Sequence, residues 1–149
     1  MSKWAKYQSL PVEDRFKLIA FAVLLMMVHI ALSWFGYQKV YTFLASHPRK
    51  RDLFHGQEGE SLKKAKHCAY LVSVAGRYGF IRVTCLRQAL LVFWLLRRRG
   101  IFTELRIGVR KVEGSIIAHA WLKYGEDVIT EGSLVEKNFS AFKDLPGVQ

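Results

Sequence analysis

Cysteine is scarce in this chain: only Cys68 and Cys85 occur, with sixteen residues between them. Two thiols make neither a disulfide framework nor a zinc set, and a reducing compartment, the cytoplasm, is their natural setting. Acidic residues are also few, 12 Asp plus Glu against 23 Lys plus Arg, which leaves a formal charge of +11. That balance directs attention to an acidic partner (nucleic acid, anionic lipid or an acidic peptide) or to a basic, solvated surface. A Gly-rich phosphate loop is missing, and no His, Cys, Asp or Glu set has metal-ligand spacing, so no metal or other cofactor is expected. Hydrophobic residues, by contrast, make up 51% of the 149 positions and charged residues 23%. This composition excludes a disordered or low-complexity chain and fits one domain, or one domain with a small appendage.

Residues Leu18 to Gly36 (LIAFAVLLMMVHIALSWFG) form a long apolar run, with His29 and Ser33 its clearly polar members. Its length approaches the ~20 residues that span a bilayer. Glu13 and Asp14 spoil the basic flank of a signal peptide, and no small-residue cleavage site follows. Two readings stay open: a membrane anchor flanked by Arg15, Lys17 and Lys39, or a core helix apolar nearly all round. Pro11 suits the first turn of this helix, and the two acids suit its positive end. A second helical stretch, Tyr37 to Ser46, stops at His47-Pro48, and Pro48 to Gly59 reads as a linker. The division is therefore 1–59, an N-terminal helical segment and linker, and 60–149, the remaining domain.

Residues 60–78 resume a helical period through Leu62, Ala65, Cys68/Ala69, Val72 and Ala75/Gly76, which places Cys68 on an apolar stripe as a packed thiol. After a break at Gly79 to Val83, Thr84-Cys85 begins a further helix with Leu86, Ala89, Leu90, Phe93 and Leu96 on one face. Arg97, Arg98 and Arg99 suit its negative end and Gly100 closes it. The period then changes to two. Leu105, Ile107 and Val109 form one strand, and Ile116, Ala118, Ala120 and Leu122 alternate with Ile117, His119, Trp121 and Lys123 in the next. A third strand is expected at Asp127 to Glu131, giving an α+β fold of helices followed by an antiparallel meander.

Cys85 stands where free backbone N–H groups and the helix dipole favour an anion, with Arg82 and Arg87 close in sequence. The same N–H groups suit an oxyanion. His119 shares a strand face with Trp121. A three-residue hairpin loop, Tyr124-Gly125-Glu126, would set Lys123 opposite Asp127, Trp121 opposite Ile129 and His119 opposite Glu131, whereas a two-residue loop would put Glu131 opposite Ala120. Asp127 is the rival acid, placed near a hairpin tip to pair with Lys123 or solvent.

Cysteine at a helix start, histidine on a strand and an acid on the next strand resemble the papain and transglutaminase superfamily. The segments TCLRQAL, LLRRRGI, LRIGV, AHAWL and VITEG are similar to one branch of it, the transglutaminase-like peptidases that remove leaders from lasso-peptide precursors in bacteria. Glu131 stands where aspartate is common in the superfamily. The resemblance implies a transglutaminase-like cysteine peptidase domain over 60–149, with Cys85 the nucleophile, His119 the base and Glu131 the orienting acid. It further implies a precursor peptide as substrate, a separate leader-recognition protein, and a macrolactam-forming cyclase that takes the released core. A groove beside Trp121 and Tyr78 is the expected place for the peptide. Acyl transfer and a non-enzymatic membrane-associated adaptor are the competing classes, with contact through the N-terminal helix; nucleic acid is not an expected partner.

Overall fold

The computed structural model describes residues 12–46, 58–78, 83–130 and 140–141. Among the described residues three helices, α1 (Val12–Ser46), α2 (Glu58–Tyr78) and α3 (Cys85–Arg97), precede four strands, β1 (Glu104–Val112), β2 (Ser115–Tyr124), β3 (Asp127–Val128) and β4 (Ser140–Ala141). The α+β architecture expected from the change of period is the one found. The strands form a single sheet in the order β3-β2-β1-β4, with antiparallel pairing throughout.

α1 consists of two arms that meet at Gly36, whose φ of 75° and ψ of 169° interrupt the helix. That combination is open essentially to glycine alone, because a Cβ would clash with the flanking peptide groups. The sequence boundary between a Leu18–Gly36 helix and a Tyr37–Ser46 helix is thus a real break. Leu18, Phe21 and Leu25 of the first arm and Val40 and Leu44 of the second join Val72 of α2 and Leu90 of α3 in one buried cluster. Each such side chain withdrawn from water contributes about 1.5–3 kcal/mol, before conformational entropy is set against it. Asp14 ties the start of α1 to α2: Lys17 Nζ donates to its carboxylate at 2.9 Å and His67 Nε2 lies 3.6 Å from it.

The other side of α1 is as apolar as the packed side yet open, with Ile19 59% and Trp34 81% exposed. By length and composition α1 could cross a membrane, with a mean hydropathy of 2.4 over its most apolar window. The core-helix reading describes one side of it; the other side is open.

α3 is the central helix of the core, buried at Ala89, Leu90, Leu91, Val92, Phe93 and Leu96. Its end is closed by two reversed bonds, Ile101 N–H to the Leu96 carbonyl (3.0 Å) and Gly100 N–H to the Arg97 carbonyl (3.1 Å). Gly100 takes the left-handed conformation this closure needs, φ 76°. The arginines there stack on aromatic rings: Arg97 lies over Phe93 (5.7 Å) and Phe102 (5.4 Å), and Arg98 over Trp94 (4.8 Å).

β1 and β2 pair from Glu104↔Lys123 to Val112↔Ser115 around the two-residue turn Glu113-Gly114, whose φ values are 48° and 84°. Two successive positive φ values match the twist of the flanking strands. Leu105, Ala120 and Leu122 face the helical core, while Trp121, on the alternate face, is nonetheless 1% exposed. The outer end of the hairpin projects beyond that core, since Ile116 is 75% exposed.

The β2–β3 connection corrects the expected register. Lys123 pairs with Val128 and Tyr124 with Asp127, so the loop is the two residues Gly125-Glu126 and not Tyr124-Gly125-Glu126. Gly125 alone in this turn has positive φ, 58°, as a two-residue turn with glycine at its first position requires. Ile129 N–H still bonds the Leu122 carbonyl (2.8 Å), but the Leu122 N–H donates to Thr130 Oγ1 (3.0 Å) where ladder geometry would call for the Ile129 carbonyl. The hydroxyl ends the ladder. The paired register therefore does not set Glu131 opposite His119, and Glu131 itself lies outside the described residues, as does the far end of the expected third strand.

Candidate active site

Cys85 is the first residue of α3 and is half-buried. Thr84 before it is extended (φ −80°, ψ 157°), and its side chain makes no cap. The Gln88 N–H bonds the Thr84 carbonyl at 3.2 Å. The amides of Cys85 and Leu86 precede that bond and point out of the helix end, where they add to the positive pole of the dipole. A carbonyl attacked by the Cys85 sulfur would develop its negative charge beside these donors. Arg87, two residues on in the same first turn, is half-buried, and Arg82 lies outside the described residues.

Gly76, expected only as part of the α2 stripe, and Gln88, to which periodicity gave no role, position this helix start. A Cβ at Gly76 of α2 would stand 3.0 Å from Gln88 Nε2 and 3.4 Å from Val83 Cβ. The missing side chain lets α2 approach the first turn of α3, so Gly76 and Gln88 locate Cys85. The Ala75/Gly76 pair on the α2 stripe was the available signal.

His119 lies in the middle of β2, paired with Gly108 of β1, which in turn pairs with Ala141 of β4. Residues directly opposite on antiparallel strands share a face, so the imidazole has a cross-strand neighbour without a side chain. Its Nε2 is out of solvent contact, and the ring stacks on Trp121 with centroids 6.2 Å apart and planes 16° from parallel. Trp121 is buried and so is not an accessible wall for a peptide; the side chain of Tyr78 lies outside the description. Cys85 borders the helical core, whereas His119 and Trp121 lie outside that cluster. α3 and β2 pack on each other through the Ala120/Leu122 face of β2, so the two elements adjoin, while the His119 side chain lies with Trp121 on the strand's other face and is not brought against Cys85 by that packing.

Asp127 is not the acid for this histidine. It pairs with Lys66 of α2 at 3.1 Å, and Lys123 turns to Glu126 at 3.8 Å. Tyr124, the partner of Asp127, is five residues along β2 from His119, a separation of about 16 Å. Cys68 behaves as the sequence predicts: it is 2% exposed, and burial pushes its thiol above the ordinary range despite the opposing charge of Arg99. Among the described residues no three His, Cys, Asp or Glu side chains converge as a metal site would need.

A family model described as "Transglutaminase-like superfamily" matches residues 22–145. The chain belongs to the transglutaminase-like superfamily. This superfamily is generally enzymatic and includes cysteine proteases and acyltransferases. The match takes in most of α1 together with α2, α3 and the sheet, so the superfamily unit includes the apolar helix. No curated protein and no solved structure matches the chain.

Proposed function

We propose that this transglutaminase-like protein is a cysteine endopeptidase that removes the leader from a ribosomally synthesised precursor of the lasso-peptide kind. The observation that carries the reading is Cys85 at the uncapped start of α3, in a chain whose superfamily includes cysteine proteases. The TCLRQAL and AHAWL segments narrow it to leader removal by resemblance.

In this reading the Cys85 thiolate attacks the scissile carbonyl, and the oxyanion faces the amides at the α3 start. His119 takes the thiol proton and returns it to the departing amine as the C–N bond breaks, leaving a thioester. Water, deprotonated by the same imidazole, then attacks the thioester and frees the carboxylate and the thiol. Glu131 orients the imidazole and stabilises its charged form. Recognition of the leader falls to a separate small protein, and the released core passes to a macrolactam-forming cyclase.

Incubation with a candidate precursor and its recognition protein, read by mass spectrometry, tests the proposal. Cleavage by the wild-type chain and none by Cys85→Ala is expected, with a free carboxylate on the leader. Identical products from both proteins would refute it. A leader carrying an added amine in place of the carboxylate would identify acyl transfer instead. Loss of cleavage in Glu131→Gln and its retention in Asp127→Asn is expected for the acid.

A further inference from the structure

The helical layer carries a surface that the peptidase chemistry does not use. Phe16, Ile19, Val23, Met27, Ile30 and Trp34 recur along the outer side of α1, each more than half exposed except Ile30 at 49%. From Phe16 to Trp34 this face runs about 27 Å. A contiguous apolar surface of that length on a folded protein marks a contact with another apolar medium. Beyond it, the bend at Gly36 encloses a groove of about 490 Å³ between the two arms of α1 and α3. Leu24, Val28, Ala31, Val40, Leu91 and Trp94 line its interior. Met27, Phe35 and Phe43 line it too and are themselves exposed, so groove and face are continuous.

Three observations say what covers this surface. First, it offers a protein partner no charged side chain and few polar groups, the indole of Trp34 at its end among them. No Asp, Glu, Lys or Arg occurs from Leu18 to Gln38, and Ser33 already donates to the His29 carbonyl at 2.9 Å. Protein interfaces carry about one hydrogen bond per 100–200 Å², a density that a face this poor in donors and acceptors does not supply. Second, the groove has cations at its edge: Lys39 lines it, and Arg98 lies 4.8 Å over the ring of Trp94, another lining residue. The chain's +11 charge has the same sign. Third, Trp34 closes the apolar face at the end toward Lys39, where an indole suits the boundary between acyl chains and headgroups.

We infer that the outer face of α1 docks in the plane of an anionic phospholipid bilayer, with an acyl chain in the Gly36 groove and lipid phosphate against Lys39 and Arg98. The helix lies in the membrane surface and does not cross it, because Leu18, Phe21 and Leu25 on its inner side are core to α2 and α3. Crossing would strip them from that core. The inference is independent of the peptidase reading, and its test does not measure cleavage.

The full chain is floated with vesicles of phosphatidylcholine alone and of an equimolar phosphatidylcholine–phosphatidylglycerol mixture. Wild type is expected to float with the mixed vesicles and weakly with the neutral ones. Ile19→Glu combined with Val23→Glu, both at exposed positions, should reduce flotation at least tenfold with an unchanged far-ultraviolet circular dichroism spectrum. Lys39→Gln combined with Arg98→Gln should lower the preference for the anionic vesicles by roughly tenfold or more while sparing binding to neutral ones. Equal binding to both vesicle types, or none to either, overturns the inference. So does a stable dimer in lipid-free solution that Ile19→Glu with Val23→Glu dissociates, since a second copy would then be the occupant.

Discussion

The chain places its two thiols in opposite surroundings, and the contrast separates packing from chemistry. Around Cys68, the α1, α2 and α3 layer closes on every side, and the sulfur serves as a small apolar group. Around Cys85 the same layer ends. The sulfur is half-buried at a helix start, beside amides that α3 itself does not use. A protein of this size thus holds a helix end in place by packing the helix body completely. Leu90 and Leu96, with no exposed surface, are what aim Cys85.

The sharpest way to test that division is to remove each thiol in turn. Cys85→Ala should lower precursor cleavage by roughly 10⁴-fold or more, read by mass spectrometry, while Cys68→Ala leaves the rate within a few-fold. Comparable losses in both would erase the distinction. Leu90→Ala, a cavity at the centre of the packed region, should cost about 2–5 kcal/mol in urea unfolding. Gly76→Ala acts where the two regions meet: its Cβ would press on Gln88 and Val83, for an expected cost of about 1–3 kcal/mol and a cleavage loss larger than stability alone explains.

A smaller effect is alkylation by iodoacetamide under native conditions, which peptide mapping should place on Cys85 and not on Cys68 until the chain is unfolded. The smallest is in the pH dependence. The Cys68 thiol is held above its ordinary value in the folded state, so the unfolded chain loses that proton first as pH rises. Its contribution to stability is complete below the ordinary thiol value, near 8.5, and is lost as pH rises toward the folded-state value. Cys68→Ala should remove that alkaline decline, measured as the slope of unfolding free energy against pH.

Much of this was legible in the sequence, for reasons that can be assigned to residues. The α2 stripe through Ala65, Cys68 and Val72 and the α3 face through Ala89, Leu90, Phe93 and Leu96 each meet a single core, so periodicity reported them correctly. α1 was ambiguous because both its sides are apolar and only packing tells Leu18 from Ile19. The β2–β3 turn differs from the expected one by one residue because Tyr124-Gly125-Glu126 accommodates either loop length. Thr130 compounds this, since a side-chain hydroxyl standing in for a ladder carbonyl leaves no mark in the alternation. Cys85 and His119 were visible as a helix start and a strand position. Gly108 and Gly76, the neighbours that make room for them, carry no side chain to notice.

Gly36 extends that last observation to the whole helical layer. Beyond its own stretch of backbone a Cβ there would meet nothing within 4 Å, so burial and packing alone would rank the site as freely replaceable. The backbone at φ 75° and ψ 169° says otherwise. In a scan of all substitutions, position 36 should stand out as an exposed site that tolerates almost nothing, and each replacement should act at a distance by straightening α1 and closing the groove between its arms. The shape of that surface is then stored in a single torsion, where an alignment of side chains would look for it last.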